Sequence, residues 1–118
     1  MAVTIYHNPR CSKSRKTLEL IVAAGAAHTV VLYLEDTPDA VALLDLAKKL
    51  GTPLAGLLRR GESVFKDATD LPDLDDDAGL ANWLEEHPIA LQRPIVVDDE
   101  SGAAVIGRPP ENVLQFLP

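Results

Sequence analysis

The sequence predicts an α/β protein with a mixed sheet, and three features of the chain predict it. The first third alternates strand, helix and strand; the middle carries helical patterns without strands; the last quarter returns to two short strands and a helix. A strand–helix–strand unit implies a parallel pair joined by a right-handed crossover, whereas two strands joined by a tight turn imply an antiparallel pair. Both kinds of pairing in one chain give a mixed sheet.

Val3–His7 is β-branched and aromatic and ends at Asn8-Pro9, the pattern of a short strand. Ser12 to about Ala24 predicts a helix with Leu18, Ile21, Val22 and Gly25 at i, i+3, i+4 and i+7, closed by Gly25. Thr29–Leu34 is a nearly continuous apolar run, expected of a strand covered on both faces. Thr37-Pro38 opens a second helix with Leu43, Leu44, Ala47 and Leu50 inward, and Gly51 ends it. Pro53–Arg60 predicts a short helix, and Gly61–Asp77 a polar, acidic loop with some helical turns. Ala78–Glu86 predicts a helix with Leu80, Trp83 and Leu84 inward and Pro88 stopping it. Pro94–Val97 and Ala103–Ile106 are short strands joined by a turn at Asp98–Gly102, and Pro109–Leu117 is a last helix. This order, βαβ then a helical insertion at about 36–90 then ββα, is the thioredoxin-like order, expected as one domain over 118 residues.

Composition narrows the class. With 47% hydrophobic and 25% charged residues the chain is an ordinary globular one, able to bury roughly two-thirds of its unfolded surface. No apolar run reaches the ~20 residues of a membrane span, and the N-terminus lacks the pattern of a secretory signal. A cytoplasmic protein is expected, with no membrane contact. The net charge of -7, from 18 acids against 11 bases, argues against nucleic-acid binding. The charges are unevenly spread. Residues 1–18 hold no acid, yet Arg10, Lys13, Arg15 and Lys16 cluster there around Cys11, while six aspartates fall between 67 and 77.

Cys11 is the one cysteine, so it closes no internal disulfide and builds no thiolate metal site. Any redox cycle through it takes a second thiol from outside. It stands between a strand end and a helix start, where unpaired amides carry partial positive charge and hold a thiolate or an oxyanion. At such sites a cysteine pKa falls from about 8.5 to between roughly 3.5 and 7.5. Ser14, in the first helical turn, offers a hydroxyl or an N–H to the sulfur, within a C-x-x-S in which serine replaces a resolving cysteine. A lone cysteine is more often a small buried hydrophobe. Its position at the turn, its polar neighbours and the acid-free basic cluster favour a nucleophile.

The segment His7-Asn8-Pro9-Arg10-Cys11-Ser12-Lys13-Ser14-Arg15 resembles the active-site segment of the arsenate reductases that use glutathione and glutaredoxin. Leu32–Glu35, Leu57–Arg59, His87–Ile89, Arg93–Val97 and Gly107–Pro109 resemble that family's other landmarks in the same order. The resemblance covers nearly the whole chain and is specific as an ordered set. It implies arsenate reduction in arsenic detoxification, with glutathione as co-substrate, glutaredoxin as partner and no bound cofactor. It also implies that Arg59, Arg93 and Arg108 bind the oxyanion, a task that suits a permanently charged, planar donor fork. Pro94 is expected to be cis by the same resemblance. His7 matches the family's histidine near the cysteine, tuning the thiolate or holding the loop.

Two other readings share parts of this evidence. A glutathione-dependent thiol oxidoreductase would use Cys11 without needing Arg59 or Arg108. A regulator binding RNA polymerase, as in the related Spx group, would ordinarily carry the C-x-x-C switch that Ser14 removes here. Asp73, Asp75 and Asp77 imitate the opening of a calcium loop, but Ala78 and Leu84 stand where glycine and a bidentate glutamate are required, so no metal is assigned.

Overall fold

The computed structural model describes residues 2–118. It resolves into two compact units, one that runs to Asp36 and resumes over Arg93–Pro118, and one that spans Thr37–Gln92.

The first unit is built on strand β1 (Ala2–His7), with parallel strand β2 (Ala27–Leu32) on one side and antiparallel strand β3 (Ile95–Asp98) on the other. Strand β4 (Ala104–Ile106) pairs antiparallel with β3, giving a mixed sheet of order β2-β1-β3-β4. Ile5 lies opposite Val30 on one side and Val96 on the other, which sets the register. Helix α1 (Ser12–Ala23) makes the crossover from β1 to β2. Val3 and Ile5 alternate inward along β1 and pack with Ile21, Ala26, Val96, Val113 and Phe116 into one apolar cluster. Val113 and Phe116 come from a closing 3-10 helix, Pro110–Phe116, where a continuous helix over Pro109–Leu117 was expected.

Two expectations about this unit fail on which face is covered. Helix α1 buries Ser14, Thr17 and Ile21, while Val22 is 57% exposed. At Thr17 the inward stripe meets Gly107 so closely that a small hydroxyl side chain fits there, while Ile21 enters the apolar cluster one turn on. Strand β2 begins two residues earlier than predicted and is the sheet edge, largely exposed rather than covered on both faces. Its apolar run reflects β-propensity, which β-branched residues supply at an edge as well as in a centre. Gly25 does close α1: at φ 70 it donates to Val22 O, and Ala26 donates to Ile21 O, a Schellman ending.

The Thr37–Gln92 unit is helical. Helix α2 (Ala40–Leu50) is capped by the Asp39 carboxylate, which accepts from Ala42 N–H, and is closed by Gly51 at φ 71. It buries Leu43, Leu46 and Ala47; Leu44 and Leu50 are only half-buried, against expectation. The short helix expected over 53–60 is a 3-10 turn at Leu54–Leu57, after which Leu58 bridges to Leu91. Helix α3 is the single turn Ser63–Lys66, and α4 (Asp77–Glu86) follows. Asp76 caps α4 by accepting from Gly79 N–H, and Asp77 accepts from Leu54 N–H, so two of the clustered aspartates hold backbone, one within its own helix and one in the Leu54–Leu57 turn. Leu80, Trp83 and Leu84 face inward as their spacing predicts. Among the described residues, no helix is long and apolar enough to cross a membrane.

Candidate functional site

Cys11 is the N-cap of α1, with extended backbone at φ -92 and ψ 122. The chain reaches that conformation through a stapled turn. Cys11 N–H donates to Asn8 O at 3.0 Å, Arg10 N–H donates to Asn8 Oδ1 at 3.0 Å, and Arg15 Nη1 donates to Pro9 O at 2.9 Å. Arg15 N–H then donates to Cys11 O at 3.0 Å, the first bond of the helix. The first turn contains no acid, so nothing offsets the positive end of the helix dipole beside the sulfur.

Beneath the turn, Ser14 is fully buried, and its hydroxyl does not serve the sulfur. Ser14 Oγ accepts from Asn8 N–H at 3.1 Å and lies 2.7 Å from His7 Nδ1. Burial, and then the nearby Arg15 charge, push the His7 pKa down and favour the neutral imidazole. With Oγ already accepting from Asn8, the arrangement that satisfies both groups has the hydroxyl donating to Nδ1, with the ring proton on Nε2. Ser14 thus reaches Cys11 through its amide, and its side chain ties the end of β1 to α1.

The sulfur itself is partly exposed. Burial raises its pKa, but the Ser14 and Lys13 amides and then the Arg93 side chain outweigh this and leave it below the ordinary thiol value. Among the described residues the Cys11 side chain closes no cap hydrogen bond within ordinary geometric limits, and the two amides lower its pKa as backbone donors at the open end of the helix. Arg108 Nη1 lies 3.8 Å from Sγ and also donates to Arg93 O at 3.2 Å. Two guanidinium groups therefore converge on the thiol from the strand side. Arg93 stands two residues before the start of β3, is buried, and joins Pro94 through a cis bond, as expected; the Arg108–Pro109 bond is cis as well, which was not expected.

Gly107 brings the second arginine in. A Cβ built there would stand 2.7 Å from both Pro94 Cγ and Thr17 Oγ1, so β4 ends closer to α1 than any side chain permits. Arg59 belongs to the Thr37–Gln92 unit. Its N–H donates to Ala90 O at 2.6 Å, its Nε is 3.4 Å from a Glu62 carboxylate oxygen, and its buried Nη1 finds no hydrogen-bond partner among the described residues.

A family model described as the ArsC family matches residues 6–116, which include every residue of the site. The chain belongs to the ArsC family. Within it, an arsenate reductase of Neisseria meningitidis serogroup A is 44% identical over 117 residues, covering 98% of this chain and 97% of that protein. An Escherichia coli protein titled uncharacterized, YfgD, is 45% identical over 116 residues, covering 98% of this chain and 96% of its own. The solved arsenate reductase of Vibrio cholerae superposes with a TM-score of 0.89 at 42% identity, covering 99% and 98% of the two chains. The fold is thus the thioredoxin-like α/β fold of ArsC proteins.

The roles of Asn8, Thr17 and Gly107 are the parts of this ArsC site that sequence reading passed over. Asn8 carries a recognisable signal, since an asparagine before proline at a strand end is a turn former whose side chain bonds backbone two residues on. Thr17 carries none, and Gly107 is visible only as part of a family landmark, because their packing role lies in one close approach between distant segments.

Proposed function

We propose that this chain is a cytoplasmic arsenate reductase that works through Cys11 with glutathione and glutaredoxin. The observation that carries the reading is the convergence of Arg93 and Arg108 on a cysteine at the N-terminus of α1. Amides, a helix dipole and two planar cations suit a tetrahedral oxyanion as well as they suit the thiolate that attacks it. The family's arsenate reductases support the identity of the oxyanion. Arg59 is proposed as the third oxyanion ligand on the family resemblance alone.

In this reading the Cys11 thiolate attacks As(V), and one arsenate oxygen leaves as water, giving a cysteine–arsenate adduct. A glutathione thiol then displaces a second oxygen as water, joining the arsenic, and the second thiol of the donor system attacks the glutathione sulfur, breaking the arsenic–sulfur bond, taking up the glutathione as a disulfide and leaving As(III) on Cys11. Water then replaces the Cys11 sulfur on arsenic, so that two thiols have become one disulfide and arsenite leaves with Cys11 restored as thiolate. Cys11 has no cysteine partner in its own chain, so both electrons come from external thiols.

Arsenite formation from arsenate, glutathione and glutaredoxin tests the proposal. Wild type is expected to turn over and Cys11→Ser to be inactive. Arg93→Lys and Arg108→Lys are each expected to raise the KM for arsenate about tenfold or more, since a charge-assisted hydrogen bond is worth about 1.5–3 kcal/mol. Absence of arsenite with wild type, when a known arsenate reductase succeeds in the same assay, overturns it.

A further inference from the structure

Four cations surround Cys11 in sequence, and the structure divides them. Arg15 donates to Pro9 O, and Lys16 lies 3.5 Å from Glu19. Arg10 and Lys13 are exposed, and neither side chain has a hydrogen bond or an ion pair among the described residues. The groups that lower the thiol are the Lys13 and Ser14 amides and the Arg93 guanidinium, so these two side chains are not what ionises the sulfur.

Their placement is unfavourable for folding. A cation at a helix N-terminus opposes the dipole, and α1 has no acid in its first turn to relieve it. Two unpaired cations that flank a reactive sulfur in the sequence, in an otherwise acidic chain of net charge -7, suit an anion from outside. Arsenate is already provided for by the inward Arg93 and Arg108. The second reactant is a thiol, and glutathione carries its thiol on a central residue with a carboxylate on either flank.

We propose that Arg10 and Lys13 receive the two carboxylates of glutathione, aligning its sulfur with the Cys11 centre. The proposal rests on the arsenate reductase reading for the step it serves, but the docking can be measured apart from arsenate. In that assay the Cys11 thiolate attacks one sulfur of oxidised glutathione, forming the mixed disulfide and releasing the other half as glutathione thiolate.

The test compares wild type with Arg10→Glu/Lys13→Glu. Rates with oxidised glutathione, and with its ester in which every carboxylate is blocked, are each divided by the rate with neutral iodoacetamide to cancel any change in the thiol itself. Wild type is expected to prefer the acid form, and the variant to lose roughly three- to tenfold with the acid and little with the ester, the size of two exposed ion pairs. The gap should close as salt rises toward 1 M. Under turnover, the variant's kcat/KM for glutathione should fall by the same factor, while arsenate still protects Cys11 from alkylation. Equal loss with acid and ester, or no loss with either, overturns the docking proposal even if arsenate is reduced. Failure of arsenate reduction with the exchange preference intact overturns the enzymatic reading and leaves the docking standing.

Discussion

Ser14 shows how a residue's two polar groups divide its work. Its amide faces the Cys11 sulfur, and its hydroxyl joins Asn8 N–H and His7 Nδ1 below the turn. Ser14→Ala keeps the amide and removes the hydroxyl. It is therefore expected to leave the pH midpoint of Cys11 alkylation nearly unchanged while lowering the stability measured by urea unfolding by about 1–3 kcal/mol, because a buried donor loses its partner. Arg93→Ala is expected to do the reverse to the thiol. It removes a charge that lowers the Cys11 pKa, so the alkylation midpoint should move up toward that of a free thiol. A Ser14→Ala midpoint that rises as far as that of Arg93→Ala would show that the hydroxyl, not the amide, serves the sulfur.

At the scale of elements, the site is an approach of three segments: the N-terminus of α1, the start of β3 and the end of β4. Gly107 is the point where the approach is tightest. Gly107→Ala is expected to push the Pro94 ring and Thr17 away, costing about 1–3 kcal/mol by overpacking and moving Arg108 off the sulfur. Urea unfolding measures the first effect, and the KM for arsenate the second. The element pattern itself was readable: strand and helix periodicities located β1, α1, α2, α4 and the final pair of strands to within a few residues. The faces were not. Val22 is exposed and Thr17 buried in α1, because a helix turns toward whatever packs closest, and that neighbour lies some 90 residues away at Gly107.

For the whole molecule, two site residues link the protein's stability to pH with the same sign. The folded His7 pKa lies below its unfolded value, so the unfolded chain takes up a proton first. Stability then falls as pH drops below the unfolded histidine value and levels off below the folded one. The folded Cys11 pKa is also lowered, so the thiolate stabilises the fold fully above the unfolded thiol value and loses that contribution as pH falls through the folded value. The urea midpoint should rise with pH across both windows. His7→Gln is expected to flatten the lower window and Cys11→Ser the upper one. A His7→Gln profile with the wild-type slope between pH 5 and 7 would mean that His7 keeps its ordinary affinity for protons.

The linear chain by itself determined the order of strands and helices, the positive-φ glycines that end α1 and α2, and the isolation of one cysteine at a strand-to-helix turn. These depend on neighbours a few positions away, so periodicity and turn chemistry report them directly. Only the tertiary structure decided that β2 is an edge, that Ser14 turns its hydroxyl from the sulfur, and that Arg93 and Arg108 meet at Cys11. The meeting of the arginines joins residues about 80 to 100 positions apart, and all three outcomes are set by which surfaces pack when the chain closes, a quantity that no local pattern encodes.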